Sequence, residues 1–447
     1  MAALPDRPSS DRLRRQAREL QREVRGGSDA ARDLVRRHHP HPGAALADPA
    51  AFRLADAQVC VARGYGFPGW PDLIRVVRAI ADLRHDPPAD DGSTVPDRFC
   101  ALACLRYDEK DAPPRWTAAR LLLAELAELD RPPIAAAAAA ADVGAVRAHL
   151  AADPAAARRP GGPQAWPPLL HLTYSRVLAA PGVVTDRATE DAVLAVADAL
   201  LDAGADPNTG FLWLGLPTPF TALTGCFGGG EQGIRRQPPH PHGQALAERL
   251  LRAGADPQDQ QALYNRMFTP DDSHLELLFA HGLADDGSAA TWRGRLGAAL
   301  ESSEGVWARQ LTWAADHGFD DRLDLLARHG LSLDEPLVSG SFGDGRSARA
   351  RRAARGALTE LPDDVDRLHE GRTLLHSAAW DGDLDRIRAL LAAGADPTIR
   401  DRTFGGRPLE WAVHAFQTEA EALLREVTPE PDPEADPGPG APRDDAP

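Results

Sequence analysis

The sequence predicts an all-α protein in which helix-turn-helix units follow one another with loop insertions, preceded by a small helical module. Three observations point to this. Apolar residues recur at three- and four-residue spacing over most of 98–427, while β-branched runs are scarce. Aromatics make up only 6% of the 447 residues and alanine is abundant, so the apolar set is small and helix-favouring. A Leu-Leu pair followed by Gly-Ala-Asp-Pro returns at intervals along the chain.

Taken in order, residues 1–9 are expected to be disordered and residues 10–83 to form a helical module. Its first helix starts at Ser10, capped by Ser9 or Ser10, with Leu13, Ala17, Leu20 and Val24 on one stripe. Gly26-Gly27 ends it, and Ser28 or Asp29 caps a second helix running to Arg37. Residues 40–49 read as a loop, 52–63 as a third helix and 70–83 as a fourth. The polar run 84–97, with His-Asp-Pro-Pro-Ala-Asp-Asp-Gly at its centre, reads as a linker. The last segment, 428–447, is dominated by proline and acid and is expected to be disordered.

Between them lies the repetitive region, 98–427. Gly204, Gly254 and Gly394 each open Gly-Ala-Asp-Pro, and each follows a leucine pair: Leu200-Leu201, Leu250-Leu251 and Leu390-Leu391. Leu278-Phe279 before Gly282 and Leu326-Ala327 before Gly330 keep the frame. The chemistry is that of a helix end: leucines against a neighbouring helix, a left-handed glycine, then Asp-Pro that stops continuation. A preceding half-unit, Gly371-Arg-Thr-Leu-Leu-His-Ser-Ala-Ala-Trp-Asp-Gly382, places its final glycine twelve residues before Gly394; Gly318 stands the same twelve before Gly330.

These residues resemble the ankyrin repeat, whose pattern is a turn glycine, Thr-Pro-Leu-His, Ala-Ala, Gly, an apolar helix and Gly-Ala-Asp. Residues 371–401 carry the resemblance best, with Leu374 in place of the usual proline. Pro168-Leu-Leu-His171, Thr218-Pro-Phe-Thr221 and Pro408-Leu-Glu-Trp-Ala412 match in part. The resemblance extends across 98–427 and implies an ankyrin-like solenoid of divergent, bacterial-type repeats. Helix pairs are expected at 98–126 and 134–152, with insertions at 174–190 and 225–243. A broken unit is expected at 345–367, where Leu361-Pro362 cuts off a second helix.

The composition excludes several kinds of chemistry. A net charge of −16 disfavours nucleic acid as a general partner. Lys110 is the sole lysine and has no glycine-rich loop before it, which removes a P-loop or Schiff-base lysine. Cys60, Cys100, Cys104 and Cys226 are too few for a disulfide framework and are read as buried small hydrophobes. His38, His39 and His41 are interrupted by prolines and, like His240 and His242, read as loop residues rather than zinc ligands. The glycine-rich stretches from Gly225 and from Gly340 match no phosphate-binding motif and read as flexible insertions. The arginines of the first helix, Arg12 to Arg25, are interspersed with acids and read as a solvated face. No apolar run is long enough to span a bilayer and no leader-like segment opens the chain, so a cytoplasmic protein is expected.

The expected function is therefore non-catalytic: an interaction scaffold that binds another protein, with no cofactor, no metal, no nucleic acid and no membrane. The resemblance implies a structural role for His171 and His376, each bonded to backbone between repeats. It also implies that partners meet the two positions after Ala-Ala. Those are Trp380 and Asp381, Asp316 and His317, and His414 with Ala415. Trp213, beside Phe211 and Leu212, is a further candidate as an apolar finger tip or as the cover of an inserted loop. Two other readings stand beside this one: an enzyme or small-ligand site in residues 10–83, and nucleic-acid contact through the arginine-rich first helix.

Overall fold

The computed structural model describes residues 4–5, 7–90, 93–180, 182–183, 185–283, 290–337, 345–357, 364–369, 371–415 and 417–429. The chain is mostly helical, with a few short strands among the described residues. It divides into two compact units, one of residues 1–231 and 236–307, the other of 232–235 and 308–447.

The N-terminal helices form close to where the sequence places them. Ser9 caps helix Ser10–Arg25 and Ser28 caps helix Asp29–His38, each hydroxyl accepting a first-turn N–H. Leu13, Ala17, Leu20 and Val24 are all buried. Helices Leu54–Gly64 and Trp70–Leu83 complete the module. The expected loop at 40–49 contains a short helix, Pro42–Ala45.

The stretch 84–97 does not separate two cores. Arg84 and His85 form strand β1, which pairs in parallel with β2 (Gly210–Trp213); β2 pairs antiparallel with β3 (Pro219–Thr221), Phe211 opposite Phe220. His85 is buried, its ring 4.8 Å from those of Trp166 and Phe211. Leu212, Trp292, Leu296 and Leu300 join the same apolar cluster as Leu73, Val76 and Ile80. The apolar stripe of helix Trp70–Leu83 is wider than its three companions cover, and these later residues bury the remainder.

Within the first unit the helices fall into two rows. Helix Pro168–Tyr174 packs between Ile134–Ala139 and Ala222–Phe227, and the latter also packs on Gln260–Arg266. The partner row runs through Val143–Ala152, Arg187–Asp202, Gly243–Arg252 and Ser273–Ala280, each packed on the next. The second unit repeats the scheme: helix Leu374–Asp381 packs on Pro408–His414, and Leu384–Ala392 on Thr418–Val427.

The glycine stops behave as their sequence implies. At Gly394, φ is 91°, and the N–H of Ala395 donates to the carbonyl of Leu390 at 2.9 Å while Gly394 donates to Leu391. The same pair of bonds recurs at Gly204, Gly254, Gly282 and Gly330. This six-to-one, five-to-two pattern satisfies the last carbonyls of each helix and requires the left-handed region that favours glycine. Leu200, Leu250, Leu278, Leu326 and Leu390, which occupy the accepting position, are fully buried.

Residues 225–243 are not a flexible insertion. Gly225 to Gly230 are buried, as are Gln237, His240 and His242. A Cβ at Gly225 would stand 2.6 Å from the Tyr174 ring, so only glycine lets these two helices approach. The segment is tied down by Arg176, whose guanidinium is fully buried and donates to the carbonyls of Thr173, Ser175, Gly225 and Pro238 at 2.6–2.9 Å. In the segment 174–190, the last residue of helix Pro168–Tyr174 is followed by a short 3-10 turn, Val177–Ala179, and helix Arg187–Asp202 begins inside it.

In the suspected broken unit, residues Ala348–Ala357 form a helix that passes through Gly356. The break at Leu361-Pro362, the second glycine-rich stretch around Gly340 and the tail 430–447 lie outside the described residues.

Candidate partner-binding groove

In the second unit a groove of about 680 Å3 runs beside helix Leu374–Asp381. The helix is set by its own ends. Thr373 occupies the cap, and Gly382 takes φ 70° at the other end. His376 locks this cap to the following loop: its Nε2 bonds the carbonyl of Gly406 at 3.1 Å, and its Nδ1 meets the Thr373 hydroxyl at 2.8 Å. Burial lowers its pKa, so a neutral ring donates from Nε2 to the carbonyl and accepts at Nδ1. His171 likewise bonds a backbone carbonyl through Nε2 in the first unit, that of Gly161 at 3.0 Å.

The loop that faces the helix is held by Asp401. Its carboxylate accepts from the backbone N–H groups of Thr403, Phe404 and Gly406 and from the indole of Trp411, at 2.6–2.9 Å. Burial alone would raise this carboxyl, but the converging donors bring it down to about 2. The loop thereby presents Phe404, which is 79% exposed.

Four of the expected partner-contact residues, Asp316, His317, Trp380 and Asp381, line this groove together with Trp411, Phe404 and several arginines. Trp380 is 36% exposed, lies edge-on to Trp411 with centroids 5.7 Å apart, and stacks on His414 at 5.8 Å. His317 stacks on Trp313 at 3.8 Å and places its Nε2 3.4 Å from the Asp381 carboxylate. Burial raises Asp381 to about 6, against the opposing pull of His317 and Arg386. Arg351, buried, donates to Asp316 at 2.6 Å. Ala415 caps helix Pro408–His414 and is half-buried.

Trp213 belongs to the other unit. It is half-buried in β2 and donates its indole N–H to the carbonyl of Arg106 at 2.8 Å, while Phe211 beside it stacks between Trp166 and Phe220. These side chains pack inward on His85, Trp166, Tyr174 and Phe220 rather than project as a finger.

Sequence reasoning did not single out Trp411, Phe404, Arg351, Arg372 or Arg386. Trp411 had a usable signal, because it precedes Ala412 in a partial repeat match. Arg351 had none, since its contact to Asp316 joins residues 35 apart in two different units of the pattern.

Residues 370–402 match the family model of the ankyrin repeat. The match covers helices Leu374–Asp381 and Leu384–Ala392, their caps, and the start of the Asp401 loop. The groove thus opens on the ankyrin-type repeat itself, at the positions after its Ala378-Ala379 pair.

Other candidate sites carry less chemistry. Cys104 Sγ lies 3.9 Å from His171 Nδ1, the spacing of a nucleophile and its base. Both are fully buried, and burial pushes the thiol up to about 12 and the imidazole down to about 4, so proton transfer between them is uphill and no substrate reaches them. Cys60 lines a groove of about 460 Å3 in the N-terminal module, and burial raises it to about 12. Among the described residues no three His, Cys, Asp or Glu side chains gather as metal ligands. On the first helix Arg14 and Arg22 pair with Asp11 and Glu19. No described helix is long and apolar enough to cross a membrane.

Proposed function

We propose that this chain is a non-catalytic scaffold of the cytoplasm. In this reading residues 98–427 form a solenoid of divergent ankyrin repeats behind an N-terminal helical extension, 10–83, and bind another protein through the groove of the second unit. The observation that carries the reading is the convergence of Trp380, Asp381, Asp316 and His317 on one open groove. Repeats of this kind are protein–protein interaction modules, and the match at 370–402 supports that role. The two-row helix packing in both units supports the repeat architecture.

Each contact residue has a role in this proposal. Trp380, half-exposed and braced by Trp411 and His414, is the anchor; rigid aromatics concentrate binding energy. Phe404 supplies apolar area from the opposite loop, and Arg386 supplies a guanidinium donor for a carboxylate. In residues 10–83, burial holds the single cysteine, Cys60, as a neutral thiol. The experiment is affinity capture with the full chain and with Trp380→Ala, the partner being identified by mass spectrometry and its affinity then measured in purified form. Loss of that partner with unchanged thermal stability supports the groove; equal capture by both proteins overturns it.

A further inference from the structure

The same groove is built to take an acidic, proline-rich strand, and the chain carries one immediately beyond its last described residue. Residues 430–447 contain six carboxylates, Glu430, Asp432, Glu434, Asp436, Asp444 and Asp445, against the single cation Arg443. Prolines alternate with the first of these acids, a pattern that favours an extended left-handed strand with little entropy left to lose on docking. Such strands bind aromatic-lined grooves, where proline rings lie against indole and phenyl faces.

The groove has the complementary chemistry. Trp380, Trp411 and Phe404 supply the faces, and Arg386 lies with them in the lining. Asp316 is already paired with Arg351, and Asp381 faces His317. The Arg386 Nε is buried without a hydrogen-bond acceptor. A carboxylate entering beside it removes an unsatisfied donor, which a neutral ligand does not do.

The tether also reaches. The carbonyl of Pro429 accepts from Arg407 at 3.0 Å. Arg407 caps helix Pro408–His414, which carries Trp411 on its first turn, and Phe404 lies three residues before Arg407. Eighteen residues follow Pro429, each spanning up to about 3.3 Å when extended, so the strand has length to spare across a groove one helical turn away.

We infer that the acidic, proline-rich segment 430–447 docks in the groove lined by Trp380, Trp411 and Phe404 and competes there with the partner protein. This rests on the reading of the groove as the partner site. Docking in cis is favoured by the high effective concentration of a short tether, so an external ligand must displace it.

The test uses the full chain. All four native cysteines are buried, so Ala441→Cys supplies the reactive thiol for a nitroxide label. The indole N–H signals of Trp380 and Trp411, assigned with Trp380→Phe and Trp411→Phe, are then recorded with the label oxidised and reduced. The expected result is strong broadening of both signals by the oxidised label. That broadening is lost when the six tail acids are replaced by Asn and Gln, and the same replacement raises affinity for the partner severalfold. Unbroadened signals overturn the inference, as does broadening that survives neutralisation. The two readings fail separately. If Trp380→Ala still captures the partner while the label broadens Trp380, the groove holds the tail and the partner binds elsewhere. If capture is lost but no broadening is seen, the partner site stands and the tail inference falls.

Discussion

Trp380 and Leu390 stand ten residues apart in one repeat and face opposite environments: Leu390 is fully buried, whereas Trp380 is 36% exposed with its ring edge-on to Trp411. Leu390 also gives its carbonyl to the helix stop at Ala395. One residue serves the fold and the other the groove, and the pair separates the two in a single unit.

Leu390→Ala is expected to cost about 2 to 5 kcal/mol, because it opens a cavity among Ile387, Leu375 and Leu424. Trp380→Ala should leave stability nearly unchanged and weaken partner binding by about 2 kcal/mol or more. Denaturant melts of both variants, with affinity measured in parallel, check the pair. A Trp380→Ala melt as early as that of Leu390→Ala places Trp380 in the core.

Asp381 gives the second unit a pH signature. Its folded pKa, near 6, lies above the ordinary carboxylate value of 3.8, chiefly through burial. Between those values the folded state holds the extra proton, so stability falls as pH rises from about 4 to about 6 and is level above. Asp381→Asn should remove that decline. The difference between wild-type and variant unfolding free energies from about pH 3.5 to about pH 7, a range that brackets these two values, measures it. A flat difference refutes the buried-carboxyl account.

Arg176 holds residues 225–243 against helix Pro168–Tyr174 through four carbonyls. Arg176→Ala leaves those acceptors buried and unpaired, with an expected cost of about 3 to 5 kcal/mol. Arg176→Lys should recover little, since one ammonium cannot reproduce a planar fork reaching carbonyls on both segments. Proteolysis within 225–243 should quicken in both variants. Resistance equal to wild type means that the segment is held by other contacts.

Among its described residues, helix Ala348–Ala357 buries Ala348 and Arg351, the latter on Asp316, and its other ion pairs are exposed, Arg349 to Asp334 and Arg352 to Asp320 and Asp324. Such pairs contribute little, so its amides should exchange faster than those of helix Leu374–Asp381, whose Leu375, Ala378 and Ala379 are buried. Equal protection in the two helices removes the idea of a weakened unit there.

What the amino-acid sequence determined alone is whatever local chemistry specifies. A glycine after two leucines ends a helix because the left-handed region is open to it, and that stop sets the register that buries Leu200, Leu250, Leu278, Leu326 and Leu390. The Thr373–His376 spacing determined the capped turn, and counting on from Ala378-Ala379 placed Trp380 and Asp381 on the groove. The tertiary structure decided the rest, where the partner is remote in sequence. Arg176 reaches Pro238 across 62 residues, and Arg351 reaches Asp316 across 35. A glycine-rich stretch with no periodicity reads as a loose insertion until a buried guanidinium gathers its carbonyls. An apolar Phe-Leu-Trp reads equally as a projecting tip or as a cover until Trp166 and Phe220 close on it. Local pattern encodes backbone hydrogen bonds within a turn or two. Desolvation and long-range packing depend on which segments meet, and only the folded chain brings those segments together.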